Sequence, residues 1–280
     1  MYKEVINLAG AALTLAALTL SGCGMSESEK AADSLVAQAR EALDNGDSSR
    51  ALMLLDSLQA AYPAEVDIQR QGMKLRPLAM EKTVMAQIQS TDSLIAFYAD
   101  SHQKLAAAMK TIDNADLVEP YMVPADGYDP AFMNSSGVQA RVDRAGQFYL
   151  VSSLNPGGVK HFALSFKASD GTVTTDTVPY DGDLNYRLNG SEVVTFMPAK
   201  CLTVGQFMLD HRDSPLTVVF NGENGKSRQI KLSARQVNAI ANAFDYSQAV
   251  INGRDLTVER QKLDRQLQIA RDQAARMAGE

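Results

Sequence analysis

The 280-residue chain has no tryptophan, only two cysteines and only three histidines. Each scarcity excludes something. Sites that bind sugars commonly stack them on exposed aromatic rings, so the lack of tryptophan weighs against carbohydrate binding and leaves tyrosine as the available platform. Cys201 is the only cysteine besides Cys23, which is assigned a different use below, so no disulfide forms within the chain and stability must come from packing. His102, His161 and His211 are scattered and lack the close pairing on one helix that a zinc site uses. The 27 Lys and Arg residues form no cluster and are outnumbered by 33 Asp and Glu, which argues against nucleic acid as a partner. There is no phosphate-cradling Gly-rich loop, no Gly-x-Ser-x-Gly elbow and no metal motif. The expectation is a non-enzymatic protein with no catalytic residue, no metal and no cofactor.

One long apolar run is present. Lys3 precedes a stretch over 5–20 built almost wholly of Ala, Leu, Val, Ile, Gly and Thr, shorter than the ~20 residues of a membrane span and suited to a signal-peptide core. It ends at Leu20, Ser21, Gly22 and Cys23, which resembles the lipobox of lipoprotein signal peptidase: a branched apolar residue, two small ones and the cysteine that takes the lipid. The resemblance implies removal of residues 1–22, lipidation of Cys23 and a short tether over 23–30. Acyl chains stabilise membrane attachment by about 0.8 kcal/mol per buried methylene, so the membrane becomes a partner through the lipid on Cys23. Gly24, where an aspartate would retain a lipoprotein at the inner membrane, implies the outer membrane, and Glu27 and Glu29 resemble a surface-export signal.

Beyond the tether, 31–115 reads as helical. Apolar residues recur at helical spacing over 28–45 and 47–61, separated by Asn45-Gly46, a helix stop followed by the N-cap Asp47. This hairpin resembles a tetratricopeptide unit at Leu35, Ala39, Ala42, Ala51, Leu55, Leu58 and Pro63, departing from it at Ala42 and Leu58. A single unit cannot form the groove of a stacked array, and a plain helical hairpin packed on the next helix is the favoured reading. A third helical pattern runs to about Asn114, with a break expected near Arg76 because Pro77 falls inside it. The same spacing returns over 233–280, with an interruption expected at Asn252-Gly253. The two long helices pair most simply as an antiparallel coiled coil, within one chain or between two as a homodimer.

The segment 116–136, rich in Pro, Asp, Tyr and Gly, reads as a linker. Over 137–232 the alternation is two-residue, and Ala145-Gly146, Asp170-Gly171, Asn189-Gly190 and Asn224-Gly225 each separate two short strands. The expected strands are 138–143, 147–152, 161–168, 172–178, 184–188, 192–196, 216–220 and 227–232, with a short helix over 204–210. The fold class is therefore α+β, in which an N-terminal helical hairpin and antiparallel coiled-coil helices flank an inserted antiparallel β-sandwich or barrel of about eight strands.

The lipobox, the hairpin and the segment 140–152 (ARVDRAGQFYLVS) that opens the β part together resemble uncharacterised envelope lipoproteins of Gram-negative gut bacteria. That resemblance implies an address and supplies no activity. Two constellations remain. Asp181, Asp183, Asn185 and Glu192 have the oxygen-ligand spacing of a calcium loop, but Tyr186 stands where that loop needs glycine, so a solvated turn is favoured. Cys201 with His211 or His161 could make a thiol nucleophile and base, but a lone cysteine is more often a small buried hydrophobe. The expected function is a lipid-anchored envelope protein acting as a protein-interaction or structural accessory module with an envelope protein partner. The alternative is a surface glycan- or small-molecule-binding lipoprotein using Tyr149, Tyr180 and Tyr186.

Overall fold

A computed structural model describes residues 25–114 and 119–279. The leader, Leu20, Ser21, Gly22 and Cys23 lie outside the described residues. The chain divides into two compact units, one ending at Thr83 and taking in the residues from Ala270 onward, the other spanning Val84–Ile269.

In the first unit, α1 (Glu27–Asp44) opens on a capping box: the Ser26 hydroxyl accepts from the Glu29 N–H at 3.0 Å while the Glu29 carboxylate accepts from the Ser26 N–H. Two otherwise orphaned donors are thereby satisfied. Gly46, at φ +81°, turns the chain into α2 (Ser48–Ala61), whose first turn is capped by Asp47. Ala32, Val36 and Ala39 of α1 pack on Leu55 and Leu58 of α2, as the apolar spacing requires. The start of α3 (Val66–Ala106) covers the pair through Ile68, and Gly72 lets it come close, since a Cβ there would lie 2.7 Å from the end of the Leu58 side chain and force it to shift.

Two expectations for α3 are corrected. It runs through Pro77 as one helix instead of breaking near Arg76. One missing N–H is a local loss, and the helix is held on both sides by the Arg76–Asp56 ion pair at 2.7 Å and by fully buried Ala79. At its far end it stops at Ala106, and the residues expected to continue it to Asn114 form a strand instead, β1 (Met109–Ile112), paired with β2 (Tyr121–Pro124). The segment read as a linker thus contributes to a sheet.

The second unit holds the remaining strands: β3 (Gly137–Val142), β4 (Phe148–Leu154), β5 (His161–Lys167), β6 (Thr172–Thr174), β7 (Asn185–Leu188), β8 (Ser191–Phe196), then α4 (Pro198–Asp210), β9 (Leu216–Gly222), β10 (Ser227–Leu232) and α5 (Ala234–Gly279). All four expected hairpins form, as β3 with β4, β5 with β6, β7 with β8 and β9 with β10. Asn189 (φ +49°) and Gly190 (φ +82°) show the paired positive angles that a two-residue hairpin needs. The strands make two antiparallel sheets, one of six in the order β1-β2-β3-β4-β8-β7 and one of four in the order β10-β9-β5-β6. This is mixed α+β with helices towards both ends of the chain, but not a single eight-strand barrel. Strand addition by β1 and β2 is what the count of eight missed; the four strands of the smaller sheet were all among those expected.

Inward residues of both sheets meet in one core: Phe148, Leu150 and Phe196 from the larger, Leu164, Phe166 and Phe220 from the smaller. Each such side chain contributes about 1.5–3 kcal/mol of burial. Helix α4, with Pro198 in its first turn, and the first half of α5 close this core through Val204, Met208, Ile240 and Phe244. Helix α5 is continuous through Asn252-Gly253, against expectation. Gly253 costs about 1 kcal/mol in helix propensity, but a Cβ there would sit 3.7 Å from the Tyr98 Cβ, so the residue is where α5 passes α3. Within this unit the two helices run antiparallel, with Asp92 paired to Arg260 at 2.7 Å and His102 to the Tyr246 hydroxyl at 3.3 Å.

Gly205 of α4 permits the closest approach in the core, since a Cβ would fall 2.2 Å from the Phe244 ring. Gly205→Ala is expected to destabilise the chain by about 1–3 kcal/mol through overpacking, read as a lower urea midpoint at unchanged slope. A midpoint equal to the parent's would contradict this packing.

Candidate functional site

Strand alternation places Ser152 on the same face as Phe148, Leu150 and Leu154, and Glu192 on the same face as Val194 and Phe196. Both polar residues therefore point into the core. His161 joins them through an irregularity. The pairing of β5 with β9 shifts between His161 and Ala163, and this bulge turns the imidazole inward where strict alternation would turn it out. Gly222, opposite His161, makes room for the bulged chain, because a Cβ there would meet the Val159 carbonyl oxygen at 2.1 Å.

The three side chains form a line of hydrogen bonds, Ser152 Oγ to His161 Nε2 at 2.8 Å and His161 Nδ1 to Glu192 Oε2 at 3.0 Å. All three are essentially sealed from solvent, at 0, 0 and 1 % exposure. The Glu192 carboxylate also accepts from the backbone N–H groups of Gly158 at 2.6 Å, Lys160 at 2.7 Å and His161 at 2.9 Å. Burial alone would raise its pKa. The His161 bond and the three amides outweigh that and hold it well below the usual carboxylate range, so Glu192 is ionised and purely an acceptor. His161 shifts down, because burial disfavours the imidazolium more than Glu192 favours it. The imidazole is accordingly neutral, with its proton on Nδ1 facing Glu192 and Nε2 accepting from the Ser152 hydroxyl.

This connectivity matches a serine–histidine–acid relay, yet the surroundings do not match acyl transfer. A nucleophile must reach substrate and needs free donors for a developing oxyanion. Ser152 has no exposed surface, and the nearby amides that could have stabilised an oxyanion are already turned onto Glu192. What the arrangement does is join β4 and β8 of one sheet to the first residue of β5 in the other.

Above the network lies a cleft of about 310 Å³, lined by Lys160, Thr177, Tyr180, Asn185, Arg187 and Glu223 among others, at the small end of the ~300–1,000 Å³ typical of ligand sites. Asn185 is its buried floor, donating to the carbonyls of Val178 at 2.7 Å and His161 at 3.1 Å and accepting from Arg187 Nη1 at 3.0 Å. Lys160 sits at φ +57°, a left-handed conformation costing a side-chain-bearing residue about 1 kcal/mol or more. Its N–H is fixed on Glu192 while its ammonium pairs with Glu223 at 3.2 Å.

The other candidate residues are placed as follows. Tyr149 and Tyr186 meet in a small cluster with Phe132, Val151 and Val193, whereas Tyr180 lies at the cleft beside Arg187, so the three tyrosines do not share one surface. Asp181 Oδ1 accepts from the amides of Asp183, Leu184 and Asn185, which makes it a turn cap, and Glu192 is turned inward. Among the described residues no group of three His, Cys, Asp or Glu could hold a metal. Cys201 is fully buried, its thiol pushed up to about 12 by desolvation and donating to the Phe196 carbonyl. His211 caps α4 ten residues later, roughly 15 Å along the helix, and instead bonds the Phe207 carbonyl and Asp170. The thiol–imidazole pair is therefore not assembled. Sequence reasoning missed Ser152 altogether; the one signal for it is a Ser and a Glu at inward positions of neighbouring apolar strands.

No protein-family model, curated protein or solved structure matches the chain.

The network makes stability depend on pH in a definite direction. A histidine with a lowered folded pKa binds fewer protons folded than unfolded, so stability is complete above about 6.5 and falls as the pH drops below it. Glu192, also lowered, adds a further loss below about 4.5. His211, raised by the Phe207 carbonyl and Asp170, contributes oppositely and only at the surface. The urea midpoint is expected to fall between pH 7 and 5, and to fall less in His161→Gln. Glu192→Ala, which leaves buried donors unpaired, is expected to cost about 3–5 kcal/mol. A midpoint flat across that range, with Glu192→Ala as stable as the parent, would contradict this account.

Proposed function

We propose that the protein is a non-enzymatic, lipid-anchored component of the cell envelope that acts as a protein-interaction or structural accessory module. The anchor half of the reading rests on Leu20, Ser21, Gly22 and Cys23 after an apolar run too short to span a membrane. None of the helices among the described residues is long and apolar enough to cross one. The non-catalytic half rests on one observation above others: the hydroxyl–imidazole–carboxylate line of Ser152, His161 and Glu192 is sealed in the core, with its anion-binding amides occupied by its own acid. The antiparallel α3 and α5 fit a coiled coil, and the two sheets fit a sandwich, an arrangement suited to presenting surfaces to an envelope partner. The same helices paired between two chains would give a homodimer. Outer-membrane placement, with surface display through Glu27 and Glu29, completes the reading.

A second reading, a glycan- or small-molecule-binding lipoprotein, is favoured by a different observation: the cleft beside Tyr180, with two cations and an exposed aromatic ring over a buried polar floor.

Cys23→Ser is expected to abolish palmitate incorporation and move the chain from the membrane to the soluble fraction. Retention in the membrane with no acyl label in the parent would sink the anchor. In-cell crosslinking of the full chain followed by mass spectrometry is expected to recover one enriched envelope protein. Recovery of the chain alone would move the reading to ligand binding or self-association.

A further inference from the structure

The cleft over the Ser152–His161–Glu192 network combines features that select a ligand. Arg187 has Nη1 committed to Asn185 and the Tyr186 carbonyl, which leaves the Nε–Nη2 edge as the side of the guanidinium that can take a carboxylate in two parallel bonds. The ring of Tyr180, 5.1 Å from the Arg187 carbon, braces that group and is itself 62 % exposed, an open apolar face. Lys160 adds a second cation and Glu223 a carboxylate acceptor, both at the rim.

The backbone at Lys160 is the independent observation. Glycine would hold φ +57° without strain and still donate its N–H to Glu192, so what the strained lysine adds is its side chain, whose ammonium pairs with Glu223 at 3.2 Å across the rim of the cleft. Glu223 then decides between ligand types. A polyanion such as a polyphosphate would meet its charge at the rim. A polyol carrying one carboxylate would use the free edge of Arg187 for the acid, the Lys160–Glu223 pair and Thr177 for hydroxyls and Tyr180 for a ring face.

We propose that this cleft binds an acidic sugar unit, a pyranose bearing a single carboxylate, with Arg187 holding the acid, the Lys160–Glu223 pair bonding hydroxyls and Tyr180 stacking on the ring. The proposal rests on the ligand-binding reading and names the ligand class for it. It goes beyond that reading by placing the site at Tyr180 alone, apart from Tyr149 and Tyr186.

The test is calorimetric titration of the full chain in neutral detergent with methyl β-D-glucuronide, methyl β-D-glucoside and inorganic phosphate. Saturable binding of the glucuronide is expected, at least tenfold tighter than either the glucoside or phosphate, with Arg187→Gln and Lys160→Gly each weakening it tenfold or more. Lys160→Gly should keep the parent's Tm or exceed it, which separates loss of the cation from loss of the fold. Equal binding of the glucoside, tighter binding of phosphate, or variants that bind like the parent would overturn the proposal. If the glucuronide fails while a panel of neutral sugars and metabolites raises Tm, the acidic-sugar assignment falls and the ligand-binding reading stands; if nothing in the panel binds, both fall.

Discussion

The Glu192 carboxylate is the group on which the second unit depends. An ion taken out of water costs several kcal/mol, and only good geometry with its remaining acceptor sites filled offsets that cost. Here four donors fill them, three from the chain between Gly158 and His161 and one from the His161 ring. Because the donors belong to the entry into β5 and the acceptor to β8, the charge can be satisfied only when the two sheets are in register. Ser152 extends the bond line to β4, the strand between β3 and β8. A purely apolar core would tolerate sliding at this edge, whereas a buried, charged and directional network does not.

The same network shapes the surface above it. The His161 backbone carbonyl accepts from Asn185, which in turn receives Arg187, and the Lys160 amide is held on Glu192 while its side chain reaches the cleft. The polar groups of the cleft are thus positioned by the buried charge. A bond line that resembles a hydrolytic relay is sealed from solvent and forms a rigid base beneath the cleft.

Much of this was legible from residues alone, and the reasons for the exceptions are specific. The α1–α2 hairpin and the four β-hairpins follow from helical and two-residue periodicity with Gly-containing turns, features written locally. The strands β1 and β2 were hidden because four residues ending at Ile112 also fit the helical stripe of α3, and because their pairing is visible only across the intervening chain. Pro77 and Gly253 suggest helix breaks, which packing on either side overrides. Glu192 was weighed by its spacing from Asp181 as a calcium ligand and set aside for an ordinary hairpin, whereas its inward position between apolar neighbours was the better signal. His161 could not have been assigned, since the bulge that turns it inward depends on Gly222, some sixty residues away.

Native-state hydrogen exchange at the amides of Gly158, Lys160 and His161 tests the central claim most directly. If Glu192 ties the sheets together, these three protons exchange only with the global unfolding that also releases the amides of β4 and β9. Exchange orders of magnitude faster than in those strands, through local opening of the segment, would show that the sheets hold without the buried charge and would contradict the account.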